Sequence, residues 1–274
     1  MGGLNVNITN GIVLVGCGKM GSAMLEGWLA SGVSPQNVWI LEPNPVERLK
    51  ALQADGLHLN QGLPPAPDLC LLAVKPQYMT DALPQLRNIK SDLTVYLSIA
   101  AGITLSTLAE TLGECPIIRA MPNTPAAIGR GITAIVGNER VSSENMDLAV
   151  ALLGSIGTTV LLESEDDMDA VTALSGSGPA YVFHLIETMK AAGMAEGLSE
   201  ALATTLATAT VAGAGLLASE SDETAEQLRI NVTSPAGTTE AGLKVLMDAQ
   251  SGLPPLMRKT IAAAANRSRE LRHS

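Results

Sequence analysis

An apolar run, Gly11-Ile12-Val13-Leu14-Val15, breaks into Gly16-Cys17-Gly18-Lys19-Met20-Gly21, and a segment of helical periodicity follows. Few short patterns constrain a fold as tightly. A strand ending on Gly16 can turn sharply, Gly18 has no side chain to hold a pyrophosphate off the backbone, and Gly21 lets the new helix lie close on the strand. The first N–H groups of that helix point at phosphate, and the helix dipole favours its charge. Glycine punctuates many loops, so the context must carry the reading. Glu42 supplies it: the residue ends a second apolar run, Val38-Trp39-Ile40-Leu41, 21 positions after Gly21. A dinucleotide-binding unit places there the carboxylate that holds the ribose hydroxyls. The alternative is a structural strand, turn and helix without a ligand.

From Gly11 to about Glu163, apolar runs alternate with helical patterns, as in a mostly parallel sheet covered by helices on both faces. Met20, Ala23, Met24, Gly27 and Trp28 recur at helical spacing until Ser31-Gly32, and Pro45 stands where the next helix can begin. The run Asp68–Val74 stops at Lys75-Pro76, leaving a lysine at the carboxyl end of the sheet, where ligands bind in such folds. Two more runs deliver polar turns to that edge: Val95–Ser98 into Ile99-Ala100-Ala101-Gly102, and Ile117–Met121 into Pro122-Asn123-Thr124-Pro125. The flanking prolines fix the second loop, so the Asn123 amide is either held for a ligand such as a nicotinamide carboxamide or satisfies the backbone of a rigid turn. Runs at 132–136 and 158–162, around a helix near Leu148–Leu153, extend the sheet.

Beyond Glu163 strand-like alternation ceases and helical spacing takes over, with breaks at Gly176–Pro179, Gly197, Ser219–Asp222, Thr233–Gly237 and Gly252–Pro255. Two domains follow, residues 1–163 and an all-helical 164–274. The stretch Ala201–Ala218 carries no charge and is rich in Ala, Thr and Gly. Flanked by Glu200 and Glu220, it reads as a helix wrapped by its own domain and a partner subunit rather than as a membrane span. Between two helices lies Thr233-Ser234-Pro235-Ala236-Gly237-Thr238-Thr239-Glu240, where free helix N–H groups can bind a carboxylate without arginine, or an ordinary Ser/Thr cap can form.

Composition narrows the function class. A formal net charge of −10 argues against a general nucleic-acid binder. The basic residues Arg258, Lys259, Arg267, Arg269 and Arg272 read as the solvated face of a terminal helix. Cys17, Cys70 and Cys115 are widely spaced and form no metal or redox motif, which fits a reducing, cytoplasmic setting. No cationic and apolar leader opens the chain, and Val6 stands where a myristoylation signal at Gly2 needs Ser or Thr.

Six segments in order resemble the Δ1-pyrroline-5-carboxylate reductase family: Gly16–Gly21, Ala73-Val74-Lys75-Pro76-Gln77, Ser98–Gly102, Arg119–Pro125, Ser175-Gly176-Ser177-Gly178-Pro179-Ala180-Tyr181, and Thr233–Thr239. The resemblance implies a Rossmann-type parallel-sheet domain, an all-α dimerisation domain interlocked with its counterpart, and in many members a decamer. It implies reduction of pyrroline-5-carboxylate to L-proline by NADP or NAD in reduced form, without a metal. Cofactor contacts are then expected from Gly16, Gly18, Lys19, Met20, Glu42, Asn44, Ala73, Val74, Lys75, Pro76, Ala100, Ala101, Gly102 and Asn123. Ser234, Gly237, Thr238 and Thr239 are expected to bind substrate at the dimer interface, with Thr239 bonded to the ring nitrogen. Ala236 replaces a usual glycine of that loop; either the alanine is strained at a positive φ or the position tolerates a methyl.

The chemistry agrees. A cyclic imine is basic enough to be protonated near neutral pH, so its reduction needs orientation more than a strong base. His58, His184 and His273 lie outside every motif, and His184 reads as a helix residue in or near the core. Glu42 suits the diol of NADH, whereas Asn44 and Arg48 lie near enough in sequence to hold the phosphate of NADPH. A β-hydroxyacid dehydrogenase is disfavoured because its lysine, four residues after the last glycine of a glycine-rich helix start, is Val182 here. A reductase of a six-membered cyclic imine and a non-catalytic nucleotide sensor stay open, the latter disfavoured by the intact Thr233–Thr239 loop.

Overall fold

The computed structural model describes residues 8–89 and 91–272, so Gly2, Val6 and His273 lie outside the described residues. The chain divides into two compact units, one comprising residues up to Gly176 with those from Ala265 onward, the other Ser177–Ala264.

In the first unit the elements run β1 (Ile12–Val15), α1 (Lys19–Ala30), β2 (Val38–Leu41), α2 (Glu47–Leu52), β3 (His58–Leu59), β4 (Leu69–Leu72), α3 (Met79–Ala82), β5 (Val95–Ser98), α4 (Leu105–Leu112), β6 (Ile117–Met121), β7 (Gly131–Gly137), α5 (Ser143–Gly154), β8 (Gly157–Leu161) and α6 (Met168–Val171). The strands form one sheet in the order β3-β2-β1-β4-β5-β6-β7-β8. Every neighbouring pair is parallel except β6 and β7, which run antiparallel. The link Pro122–Arg130, with a short 3-10 turn at Thr124–Ile128, leaves too little chain for the crossover a parallel partner requires.

The continuous apolar runs are strands because both faces of the sheet are covered. Ile12 and Leu14 pack with Met24, Leu25 and Trp28 of α1 and Leu152 and Leu153 of α5. Val13 and Val15, on the opposite face, pack with Met79, Leu83, Tyr96 and Leu108. The Trp28 indole N–H donates to the Leu152 carbonyl at 3.1 Å, so the largest buried side chain is also hydrogen-bonded. Cys17, Cys70 and Cys115 are buried and unpaired.

The segment after β8 belongs to this unit. Arg119 on β6 is fully buried and donates to the Glu165 carboxylate at 2.6 Å, and that carboxylate also accepts the Leu105 N–H at 3.0 Å. The chain passes from α6 through a π-helical turn, Thr172–Gly176, and breaks at Ser177, within the expected Gly176–Pro179. The last turns of the C-terminal helix return here: Arg272 pairs with Asp169 at 2.8 Å, and Ser268 donates to the same carboxylate at 2.7 Å. Arg272 is therefore a docking residue and not part of a solvated face, because the nearly buried Asp169 needs a partner.

The second unit is helical: α7 (Gly178–Ala195), α8 (Glu200–Glu220), α9 (Ala225–Asn231), α10 (Thr238–Leu246) and α11 (Leu253–Leu271), whose end crosses into the first unit. Pro179 sits in the first turn of α7, and the Ser199 and Thr224 hydroxyls cap α8 and α9. His184 is exposed and bonds Glu187 one turn on, so the expected core position is not found. Helix α8 is long and apolar enough to cross a membrane, with mean hydropathy 1.6, yet only 11% of its apolar window is buried. Of its residues Ala203 and Ala207 are buried, whereas Leu202, Leu206 and Leu217, within about 60° of one another around the axis, are half exposed.

Candidate active site

The parallel strands β1, β2, β4, β5 and β6 all end on one edge of the sheet, which brings the turns at Gly16, Glu42, Ala73, Ile99 and Pro122 to the same side. The order of strands reverses at β1, between β2 and β4, and this is where a doubly wound sheet opens a crevice.

Each glycine of the first turn has a separate reason. Gly16 has φ of +86°, and a Cβ there would lie 2.8 Å from Val74 Cγ1 and 3.0 Å from the Ala73 carbonyl. A Cβ on Gly21 would lie 2.5 Å from the Gly16 carbonyl oxygen, so α1 starts close to the strand only with glycine. Gly18 has nothing within 4 Å of that position. Its missing side chain serves neither packing nor a positive φ, and the space it leaves fits a pyrophosphate against the backbone. No side chain caps α1, whose exposed Lys19 and half-buried Met20 open the first turn.

Glu42 reaches back to this turn. One carboxylate oxygen accepts the Cys17 N–H at 2.8 Å and the other the Asn44 N–H at 2.9 Å. Burial pushes the Cys17 thiol up; the Ser22 hydroxyl opposes this, and Glu42 and Glu26 add to the rise, so Cys17 stays protonated and is no nucleophile. Beside Glu42 lies a cavity of ≈ 340 Å³, bordered by Val15, Leu41, Val74 and Tyr78 and by the polar Asn60 and Asp81. Its apolar walls and position suit an adenosine moiety. Sequence reading missed Tyr78 and Asp81, which follow Pro76 on a short 3-10 turn and the four-residue α3 and carry no motif of their own.

The remaining predicted cofactor residues take distinct positions. Lys75 and Pro76 are exposed, Ala73 and Val74 lie against Gly16, and Ala100 is buried. Gly102 has φ of +80°, and its α-carbon face meets the Leu271 carbonyl of the returning C-terminal helix. The Asn123 amide accepts the Ile132 N–H at 2.9 Å and donates to the Ser175 carbonyl at 3.2 Å. It braces the turn between β6 and β7, and one amide N–H is left over for a ligand.

In the second unit, Thr233–Gly237 leads into α10. The Gly237 N–H donates to the Ser234 carbonyl at 3.0 Å, and a Cβ on Gly237 would come within 2.9 Å of the Ser234 hydroxyl. Ala236 has φ of +57°, so the alanine does occupy the left-handed region, at a cost of about 1 kcal/mol relative to glycine. The Ala236 N–H donates to Glu240 at 2.6 Å, and Glu240 pairs with Lys244. No side chain caps α10 at Gly237, which leaves the first-turn N–H groups beside the exposed Thr238 and half-buried Thr239 without a capping acceptor. Among the described residues no group of three His, Cys, Asp or Glu side chains is arranged to hold a metal.

Residues 165–271 match the family described as pyrroline-5-carboxylate reductase dimerisation, and residues 11–102 match NADP oxidoreductase coenzyme F420-dependent. The pyrroline-5-carboxylate reductase of Pseudomonas aeruginosa is 36% identical over 264 residues, covering 95% of this chain and 96% of that protein. Among solved structures, a pyrroline-5-carboxylate reductase from Coxiella burnetii superposes with a TM-score of 0.89 at 34% identity, over 97% of this chain and 99% of that one. The Plasmodium falciparum pyrroline carboxylate reductase with NADP bound superposes with a TM-score of 0.80 at 28% identity, over 99% and 100% of the two chains. With relatives of this identity matched along almost its whole length, the chain belongs to the pyrroline-5-carboxylate reductase family.

Proposed function

We propose that the chain reduces L-1-pyrroline-5-carboxylate to L-proline. The nicotinamide cofactor supplies the hydride. Gly16, Gly18 and the start of α1 hold its pyrophosphate, Glu42 its ribose, and the turns at Ala73–Pro76, Ala100–Gly102 and Asn123 border it, with Lys19, Met20 and Asn44 alongside.

The observation that carries the reading is the uncapped start of α10. Its N–H groups at Thr238 and Thr239 offer an anion site that suits the substrate carboxylate, with Gly237, whose own N–H is held by the Ser234 carbonyl, shaping the turn and the Ser234 hydroxyl at the rim. Glu240 lies at the same helix end, where its carboxylate is occupied by the Ala236 N–H and its charge is offset by Lys244. The Thr239 hydroxyl, next on the same turn, accepts the N–H of the protonated ring nitrogen. Hydride then adds to the C=N carbon, and the π-electron pair moves onto nitrogen, giving the amine. The proton is already on nitrogen, so no strong base is required, in keeping with His58 stacked on Trp39 and His184 bonded to Glu187. Orientation supplies most of the rate.

A second copy of the chain is the occupant we assign to the apolar face of α8. Threonines at 204 and 205 bond back to their own helix, and glycines at 213 and 215 allow close helix approach. We take the resulting homodimer to be interlocked and able to build into a decamer, and the enzyme to be cytoplasmic, with no membrane or nucleic-acid partner.

Reduced cofactor oxidation with pyrroline-5-carboxylate, run beside the six-membered analogue, tests the activity. The five-membered ring is expected to give the higher kcat/KM by roughly tenfold, as one methylene commonly does. A reversed preference makes the larger ring the substrate, and no turnover with either overturns the proposal.

A further inference from the structure

NADPH differs from NADH at one atom, where a phosphate adds a charge of about −1.5 to −2 near neutral pH. The end of β2 is built against that charge. Glu42 is fixed from both sides by the Cys17 and Asn44 N–H groups at 2.8 and 2.9 Å, and it cannot turn away without stranding the amide of buried Cys17. Asn60 clamps the Glu42 main chain in both directions, accepting its N–H and donating to its carbonyl, each at 2.9 Å, and adopts φ of +51° to do so. Each Glu42 oxygen keeps a lone pair, enough for the two hydroxyls of a ribose diol. The adjoining cavity carries a second acid, Asp81, and its described lining includes no lysine or arginine.

The cations near in sequence are engaged elsewhere. Arg48, placed by the sequence near the phosphate position, instead forks onto Glu26 of α1, Nε to Oε1 at 2.8 Å and Nη2 to Oε2 at 3.1 Å. That guanidinium holds the Glu26 carboxyl below the usual carboxylate range. Lys50 pairs with Glu47 at 2.7 Å.

We propose that this chain selects NADH over NADPH. Glu42 takes the ribose diol and repels a 2′-phosphate, while Glu26 acts as a second determinant by keeping Arg48 from that phosphate. The inference rests on the reductase reading for the cofactor class, and it assigns the member of that class to Glu42 and Glu26.

Binding without substrate separates the two. Titration of the whole protein with NADH and with NADPH, followed by nicotinamide fluorescence, is expected to show NADH bound about tenfold tighter or more, the scale of one like-charge contact near a protein surface. The gap should narrow as salt rises, because the repulsion is screened. Glu42→Gln should shrink the ratio roughly fivefold or more, mainly through tighter NADPH. Glu26→Gln, a surface change that leaves Glu42 in place, should tighten NADPH a few-fold and leave NADH unchanged, which guards against a Glu42 variant that folds poorly. Equal or tighter NADPH binding to the unaltered protein, or a ratio unmoved by both variants, overturns the inference alone. Binding of neither cofactor overturns the inference and the reductase reading together.

Discussion

The two units of this chain bury their apolar residues very differently. In the first, every residue of β1, β4, β5 and β6 is buried, and two apolar clusters close the faces of the sheet. In the second, Ala203 and Ala207 are the buried hydrophobic residues, while Phe183, Leu202, Leu206 and Leu217 are about half exposed or more. At about 25 cal/mol per Å² of apolar surface removed from water, such side chains represent a large uncollected stabilisation. The first unit thus holds all the residues proposed for the cofactor within one packed chain. The second leaves an apolar face that the proposed partner copy would cover.

A substitution confined to the first unit should therefore abolish cofactor binding and leave assembly alone. Gly18→Val is the sharpest case, because open space surrounds the position and the fold should tolerate the side chain. Cofactor affinity should fall about a hundredfold, the effect of blocking close backbone approach and its phosphate hydrogen bonds, with an unchanged sedimentation profile. Normal cofactor affinity in that variant would remove Gly18 from the pyrophosphate site.

In the second unit, Thr239→Val should lower kcat/KM for the imine roughly 10- to 100-fold, the cost of one hydrogen bond to a charged group, while cofactor titration stays at the wild-type value. Unchanged turnover would take the threonine out of the mechanism. The smallest effect is expected at Ala236. Replacing it with glycine relieves the left-handed alanine and should stabilise the loop by about 1 kcal/mol, offset in part by greater freedom of the unfolded chain. Thermal unfolding reads the sign, and a less stable variant would show that the methyl contributes packing.

The same contrast explains what the sequence disclosed. Strands buried on both faces appear as unbroken apolar runs, so β1, β2, β4, β5 and β6 and the turn after β1 were legible, as was the change to helical spacing beyond Glu163. What stayed hidden depends on pairings between distant residues. Arg119 and Glu165 are 46 positions apart, Asp169 and Arg272 are 103 apart, and no local periodicity links them. Arg48 was placed near a phosphate by sequence proximity alone, whereas its partner Glu26 lies on another element. The two-residue strand β3 and the antiparallel direction of β7 carry no distinctive pattern. Ala236 shows the opposite case, where the question was visible in the sequence and only its φ answered it.

On the proposed function, one chain binds the cofactor and catalysis needs two. The paired variant Leu206→Asp with Leu217→Asp tests it most directly, since both side chains lie on one exposed face of α8. Charges there should hold the protein monomeric by sedimentation, and the monomer should bind reduced cofactor within about twofold of the wild-type constant while its imine turnover falls about a hundredfold or more. A monomer that still turns over the imine at the wild-type rate, or one that has lost its cofactor site, contradicts the account.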